Sequence, residues 1–558
     1  MIKKNRDEHR TLDAKELVSK ELNNGQKMVK NEADGWHRDI CKGIIESYFL
    51  VMAGIYPFYA PGGYISIGTV KYEFFRNVSL VTFAVVAVVL LLSIVSRRDL
   101  GWVVRNYQRM SVTDWFAYGY FVTIMISYLC SAYKEDALWG VEGWHMGVIT
   151  QMIFILTYFL ISRYFPCDLR WIGMWLLAAA AVFLLGICNR YSIYPIAMEG
   201  QKATFISTLG NINWFCGYWS VTAPIGITLY WCADRTWVRA AAGVYSVIAM
   251  MSGVTQGSES AYLVFAAVAL ALLVLSFDSN TRMYRFLELC MLFAGSCLLA
   301  KWMVHVPGLE LNYVTNEGRD SYGITEFLYG NASVWMFFII LGCYILLRLA
   351  GSLASLRMED YWEKHIWLKG VVQAAVVAAA CIAAILILVK SGALHARGPS
   401  DVSNDNGFWT VFNDLWGADR GVTWNCGINA YQSMDILHKI VGVGPDCFAD
   451  YVYDVPELAD RLPNFFGSQR LTNAHNELLT ILVNAGALGW LCYMGLFLTA
   501  FVRYIKGARR QLMLYLCAVS ILAYTVHNLV SFQQVLNTPY VFIVLGIGEY
   551  IDKTQPSG

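Results

Sequence analysis

The chain alternates between long apolar stretches and short polar ones. A helix needs about 20 mostly apolar residues to cross a bilayer. Runs of that kind recur at 43–61, 78–96, 113–131, 145–163, 170–188, 213–232, 237–254, 260–277, 285–303, 331–350, 369–389, 476–502, 511–530 and 537–551. The pattern predicts an all-α, polytopic membrane protein with about 14 transmembrane helices. One polar interval, 390–474, is long. Intervals beyond about 15 residues are usually functional or disordered, and this one is too aromatic to be disordered, with Trp409, Trp416, Trp424, Phe448, Phe465 and Phe466. Asp419 is placed to cap a helix over about 421–439, and Val441-Gly442-Val443-Gly444-Pro445 should end it sharply. The interval reads as a small helical cap lying on the membrane surface.

Charge orients these runs. With the N-terminus inside, the inner loops hold Arg97, Arg98, Arg105, Arg109, Arg163, Arg170, Arg235, Arg239, Arg282, Arg285, Arg348, Arg357, Lys364, Lys369, Arg503, Lys506, Arg509 and Arg510. The short outer loops hold only Lys71, Arg76, Lys134, Arg190, Lys202 and Arg319. Every inner loop carries at least two basic residues, as positive-inside sorting requires. Both termini are then expected in the cytoplasm and 390–474 outside. The expected organisation is a cytoplasmic tail over 1–42, helices over 43–389, the external loop over 390–474, helices over 475–551 and a second tail over 552–558.

Composition agrees with this picture. Residues are 57% hydrophobic and only 15% charged, against about 25% charged in soluble proteins. The net charge of +1 gives no field for nucleic acid. The first 40 residues are polar and lack the apolar core of a signal peptide. No C-x-x-C pair occurs among the 14 cysteines. Cys426 and Cys447 both lie in the long loop and are read either as two free thiols or as a disulfide.

Three outer-face segments could carry chemistry. Gly210-Asn211-Ile212-Asn213-Trp214, with Lys202 upstream, enters a helix, where amides commonly cap the backbone. Arg420-x-x-x-Trp424 precedes Gly442-Val443-Gly444-Pro445-Asp446-Cys447-Phe448. An outer-loop Arg is ordinarily a solvated charge, yet its planar fork also matches phosphate oxygens. Asn473-Ala474-His475-Asn476-Glu477 lies where the loop re-enters the membrane. A His there is by itself more often a cap than a catalyst, but it can take a proton from a hydroxyl near neutral pH. His527-Asn528, near another helix end, reads as helix packing. No metal-ligand spacing and no nucleotide-binding loop are present, so an enzyme of this kind would need a donor activated beforehand.

Taken together and in order, these segments resemble the O-antigen ligase and O-antigen polymerase superfamily of bacterial membrane glycosyltransferases. That family shows a G-[ST]-x-G-N-x-N stretch before a helix, an Arg…Trp helix in a long external loop, a G-V-G-P-x-x-F turn, and H-[NSQ] separated by nine residues from G-x-x-G. Here Thr208–Asn213, Arg420 with Trp424, Gly442–Phe448, and His475-Asn476 with Gly486-Ala487-Leu488-Gly489 fit in turn. The resemblance covers roughly 200–550. It implies a GT-C-like fold in the bacterial cytoplasmic (inner) membrane. It implies transfer of a glycan from an undecaprenyl-diphosphate-linked donor to an acceptor hydroxyl on the outer face, with membrane lipids and other polysaccharide-assembly proteins as further partners. The acceptor would be another lipid-linked glycan (polymerase, the favoured form), a lipid core or a protein. His475 would activate the hydroxyl and Arg420 would bind the diphosphate, with no metal needed. Asn476, Asn211 and Asn213 are expected to bind substrate. One departure stands out: where many relatives have Ser-Arg, this chain reads Ser258-Glu259. A second diphosphate contact would then fall to Lys202, Arg461 or Arg470, in that order; alternatively the donor differs, or Glu259 contacts sugar hydroxyls.

Two other classes compete. A flippase for lipid-linked oligosaccharides suits the helix number, but it predicts internal repeats and midplane charges, and neither is evident in the sequence. A non-catalytic scaffold would bind a wall component through the loop and would not depend on His475.

Overall fold

The computed structural model describes residues 36–97, 110–202, 204–309, 330–353, 361, 365–390 and 416–554. The tail over 1–35, the loop residues 391–415 with Trp409, and the inner-loop residues Arg98, Arg105, Arg109, Arg357 and Lys364 lie outside the described residues, as does Arg319. The side chains of Trp416 and Asp419 are likewise not described.

Each of the 14 apolar runs forms a helix. The first part of the chain holds α1 (Trp36–Phe58), α2 (Ile67–Arg97), α3 (Val112–Cys130), a short α4 (Lys134–Trp139), α5 (Val148–Tyr164) and α6 (Leu169–Arg190). A two-stranded hairpin, β1 (Phe205–Ile206) and β2 (Gly210–Asn211), precedes α7 (Ile212–Cys232), α8 (Thr236–Gln256), α9 (Glu259–Ser276) and α10 (Asn280–Val304). After these come α11 (Asn331–Leu353) and α12 (Ile366–Lys390). The cap consists of α13 (Trp416–Ser433), α14 (Ile436–Val441), α15 (Phe448–Asp454), α16 (Pro456–Ala459) and α17 (Pro463–Phe466). The chain closes with α18 (Glu477–Gly507), α19 (Met513–His527) and α20 (Thr538–Thr554). Eight of the helices are long and apolar enough to cross a membrane, so the protein is a polytopic helical membrane protein.

Several boundaries differ from expectation. The first helix begins at Trp36, not 43, and the last runs to Thr554, not 551. The second begins at Ile67, not 78, and absorbs Lys71. Lys71 is therefore no loop charge. It is fully buried, and its ammonium donates to the carbonyls of Tyr56 and Pro57, both at 2.9 Å. Those carbonyls point beyond the helix end because α1 finishes in a π turn followed by a 3₁₀ turn around Pro57. The single helix expected over 421–439 is two helices. Asp435 accepts from the backbone N–H groups of Leu437 and His438 and starts α14 anew. Helix α13 already begins at Trp416, upstream of Asp419, so Asp419 is not its cap.

The main core lies between α1, α3, α5, α6, α7 and α18–α20. Helix α18 packs on α3, α19 on α7, and α20 on α5. A separate smaller core inside the cap joins Val422, Cys426, Met434, Cys447, Phe448 and Leu471. Cys426 and Cys447 are both buried there as free thiols.

Ion pairs tie helix ends together at one side of the bundle. Asp114 at the start of α3 bonds Arg163 at the end of α5 (3.0 Å) and Lys553 at the end of α20. Arg503, late in α18, bonds Glu549 at 2.6 Å and Asp552. Four helix ends expected on one side therefore do share a face, and the cap and the starts of α5 and α18 lie at the opposite one.

Candidate functional site

The site is assembled where α18 begins. Asn476 caps that helix through the Leu479 N–H at 3.1 Å, and its amide donates to the Leu529 carbonyl at 2.8 Å. His475 precedes it in a left-handed backbone conformation with φ 49°, uncommon for a residue with a side chain. Asn473 holds that turn by accepting from the His475 N–H at 2.9 Å. The Ala474 N–H donates to Thr480 Oγ1, and Thr423 from α13 donates to the Ala474 carbonyl. The strained turn is thus braced from both the cap and the helix.

The His475 ring packs edge-on against Phe532, with centroids 5.3 Å apart. Nδ1 of the ring is fully buried and completes no hydrogen bond among the described residues. Burial, then the nearby Arg420 charge, lowers the proton affinity of the ring to a pKa of about 4. His475 is therefore neutral at physiological pH and able to accept a proton.

Arg420, near the start of α13, is buried. Its Nε donates to the Val530 carbonyl at 3.0 Å and a terminal nitrogen to Glu259 at 2.7 Å. Glu259 is the first residue of α9, where the free N–H groups of a helix start favour an anion. The departure noted in the sequence is thus physically coupled to the Arg: Glu259 occupies part of its fork. The turn from Gln256 to Glu259 is held on its other side by Arg190, buried at the end of α6, which donates to the Gln256 side chain at 2.9 Å and carbonyl at 3.0 Å.

The other expected residues are not gathered there. Arg470 pairs with Asp450 at 2.7 Å on the cap surface. Arg461 is exposed on the cap. Lys202 is exposed, its ammonium 5.9 Å from the Phe205 ring centroid. Asn211 spends its side chain capping α7, accepting from the Asn213 N–H at 2.8 Å. Asn213 is half-buried, and its side chain makes no hydrogen bond among the described residues. The hairpin that carries this segment is anchored by Ser207 to Asn189 (2.6 Å) and by Thr208 to the Pro57 carbonyl (2.8 Å).

Near His475 lies a small cleft lined by Asn473, Glu477, Phe532 and Asp446. Asp446, at φ 62°, accepts from the backbone N–H groups of Val141 (2.8 Å) and Met146 (2.9 Å). Burial outweighs those two bonds, and Asp450 and Asp136 add to it, raising its pKa to about 7. Glu477 is buried; Tyr493, Tyr524 and Asn528 donate to its carboxylate. The Asn528 carbonyl accepts from the Glu477 N–H at 2.9 Å. His527-Asn528 does take part in helix packing, with Asn528 tying the end of α19 to the start of α18. Sequence reasoning passed over Asp446 and Glu477 although both sit inside the segments it singled out. The 531–536 segment, with Phe532 and Gln533, carried no local signal.

Among the described residues, no group of three or more His, Cys, Asp or Glu side chains could hold a metal ion. No protein-family model matches the chain, and no curated protein matches it.

Proposed function

We propose that the protein is a membrane glycosyltransferase with all 14 apolar helices crossing the bilayer in a GT-C-like arrangement. It moves a glycan from an undecaprenyl-diphosphate donor to an acceptor hydroxyl at the outer face of the bacterial cytoplasmic membrane, as a polysaccharide polymerase. The observation that carries this reading is the neutral His475 held in a braced turn, its proton affinity lowered by the nearby Arg420 charge. A proton acceptor and a phosphate-matching cation meet at the helix-end surface where the cap docks.

The chemistry balances with these two groups. The acceptor hydroxyl gives its proton to Nε2 of His475, and its oxygen bonds the anomeric carbon of the donor. The bond from that carbon to the phosphate oxygen breaks, and its electron pair leaves with the undecaprenyl diphosphate. Arg420 stabilises the charge that grows on the leaving oxygen. Because Glu259 already takes one nitrogen of the Arg420 fork, the donor phosphate competes with a carboxylate on binding.

The test incubates purified protein in lipid nanodiscs with an undecaprenyl-diphosphate oligosaccharide and follows chain length. Wild type should lengthen chains, and His475→Ala and Arg420→Ala should each lose about 100-fold or more in rate. Unchanged rates in both variants would overturn the mechanism. Movement of the lipid-linked donor across the bilayer without lengthening would favour a flippase.

A further inference from the structure

We infer that the cleft beside His475 is a saccharide-binding subsite for the acceptor, with Gln533 as its fixed hydrogen-bond donor and Trp144 as part of its aromatic wall. The inference rests on the glycosyl-transfer reading for the identity of the ligand.

A single chain of hydrogen bonds sets the polarity of the cleft floor. The Tyr120 hydroxyl donates to the Gln151 side-chain oxygen at 3.1 Å, and Gln151 donates to the Gln533 side-chain oxygen at 2.7 Å. Gln151 also donates to the Met146 carbonyl at 3.2 Å. The Met146 carbonyl, which can only accept, fixes the Gln151 amide, and that amide in turn fixes Gln533, because each amide has one acceptor end and one donor end. The Gln533 nitrogen is consequently turned away from Gln151. It is fully buried, completes no hydrogen bond among the described residues, and belongs to a side chain that is 7% exposed and lines the cleft. It faces the Glu477 carboxylate and the Tyr120 hydroxyl. A buried donor left unpaired destabilises the fold that holds it. The floor is therefore built to receive an oxygen acceptor.

The walls suit a sugar ring. Trp144 stands edge-on to Phe532 with centroids 4.9 Å apart, and Tyr120 closes the cleft from α3. Flat apolar faces beside convergent polar groups are the usual build of a small-ligand site. A pyranose offers an apolar C–H face to such rings and hydroxyls to the rim. Asn484 adds a second unpartnered polar atom, its buried side-chain oxygen, which can accept from a hydroxyl. Asp446 retains one carboxylate oxygen beyond its two backbone bonds. Donor and acceptor atoms on opposite walls match the dual character of a hydroxyl. Phe532 touches both the cleft and His475, so a sugar seated there has a hydroxyl beside the proposed base.

The probe is the soluble oligosaccharide released by mild acid from the undecaprenyl-diphosphate pool of the source cells, titrated calorimetrically into protein in nanodiscs. Wild type should bind it, and Gln533→Ala and Trp144→Ala should each weaken binding about tenfold. Trp237→Ala, at an exposed position early in α8, should leave the affinity as it is. Gln533→Glu, which keeps the shape but replaces the donor by an acceptor, should weaken binding at least as much as Gln533→Ala. Each variant is first checked for a wild-type melting temperature. If one fails that check, protection of Thr480→Cys from maleimide by the same oligosaccharide decides the matter. Absence of that protection, or equal affinities across the variants, overturns the subsite. Saccharide binding that depends on Gln533, in a protein that lengthens no chain, would sustain the subsite and remove the transfer reading. Chain growth with a Gln533-independent acceptor KM would do the reverse.

Discussion

Gly442 and Gly486 cross so closely that neither position can hold a side chain. A Cβ on Gly442 would lie 2.2 Å from the Asn484 carbonyl oxygen, and one on Gly486 would lie 2.5 Å from the Gly442 nitrogen. Both residues have positive φ, at 83° and 66°. Gly486 interrupts α18, and the interruption frees the carbonyls of Val483 and Asn484. These accept from the Val443 and Gly444 N–H groups, both at 3.1 Å, and Asn484 accepts also from Ser127 at 2.7 Å. The external turn is thereby stitched to the broken helix. Gly442→Ala and Gly486→Ala should each lower stability by roughly 2–4 kcal/mol, since a left-handed conformation and a backbone clash both oppose the methyl group. Thermal unfolding in nanodiscs measures this, and a melting temperature equal to wild type would contradict it.

Asn476 anchors two segments at once, the first turn of α18 and the 529–530 backbone. Asn476→Ala should lower stability by about 1–2 kcal/mol, while Asn476→Asp should retain the cap and lose only the bond to Leu529. A graded pair of melting curves is expected, Asp above Ala. Reversal of that order would show that the cap is the lesser contribution.

The proton affinity of His475 sets a pH limb. Its folded pKa is lowered to about 4, by burial first and Arg420 second. The neutral, proton-accepting form therefore predominates above pH 4, and kcat/KM should fall only as pH drops through that value. Removing the Arg420 charge should move the residual activity limb of Arg420→Ala upward toward, but not onto, the free histidine value of about 6.5. A limb near 6.5 in wild type would contradict the assigned environment.

Asp446 acts in the opposite sense. Its folded pKa, raised to about 7, exceeds the unfolded value of about 3.9. The folded state holds the proton more tightly, so this contribution to stability is fully present below pH 4 and is lost as pH rises to 7. Asp446→Asn keeps an oxygen for the Val141 and Met146 N–H groups and cannot titrate. Its melting temperature should gain on that of wild type as pH rises from 4 to 7, and then hold a constant difference. Parallel curves across that window would remove the assignment.

Glu259 shares the Arg420 fork. Glu259→Gln retains an oxygen for the guanidinium but removes the negative charge that a diphosphate must displace. Under the proposed function, the donor KM should fall about three- to tenfold, the order of effect expected for one partly buried charge contact. A donor KM that rises would instead make Glu259 a contact for the sugar.

How much of this was legible in the chain depends on how far apart the cooperating residues lie. Each of the 14 apolar runs became a helix, because backbone groups in lipid can be satisfied only within the segment, and hydropathy reports that locally. The strained His475 turn, the Asn476 cap and the glycine break were all implicit in one stretch of 17 residues, 473–489. What sequence could not decide were the partners. Lys71 looked like an outer-loop charge until the frayed end of α1 was seen to accept it. Arg461, Arg470 and Lys202 were as good candidates as any to accompany Arg420, yet packing left them on the surface and seated Arg190 against the turn beside Glu259. Gln533 had no motif at all; its donor end is aimed by Gln151 and Tyr120, hundreds of positions away. Element type follows from local patterns of apolar and polar residues. The chemistry of the site follows from contacts between distant segments, which exist only once the helices have packed.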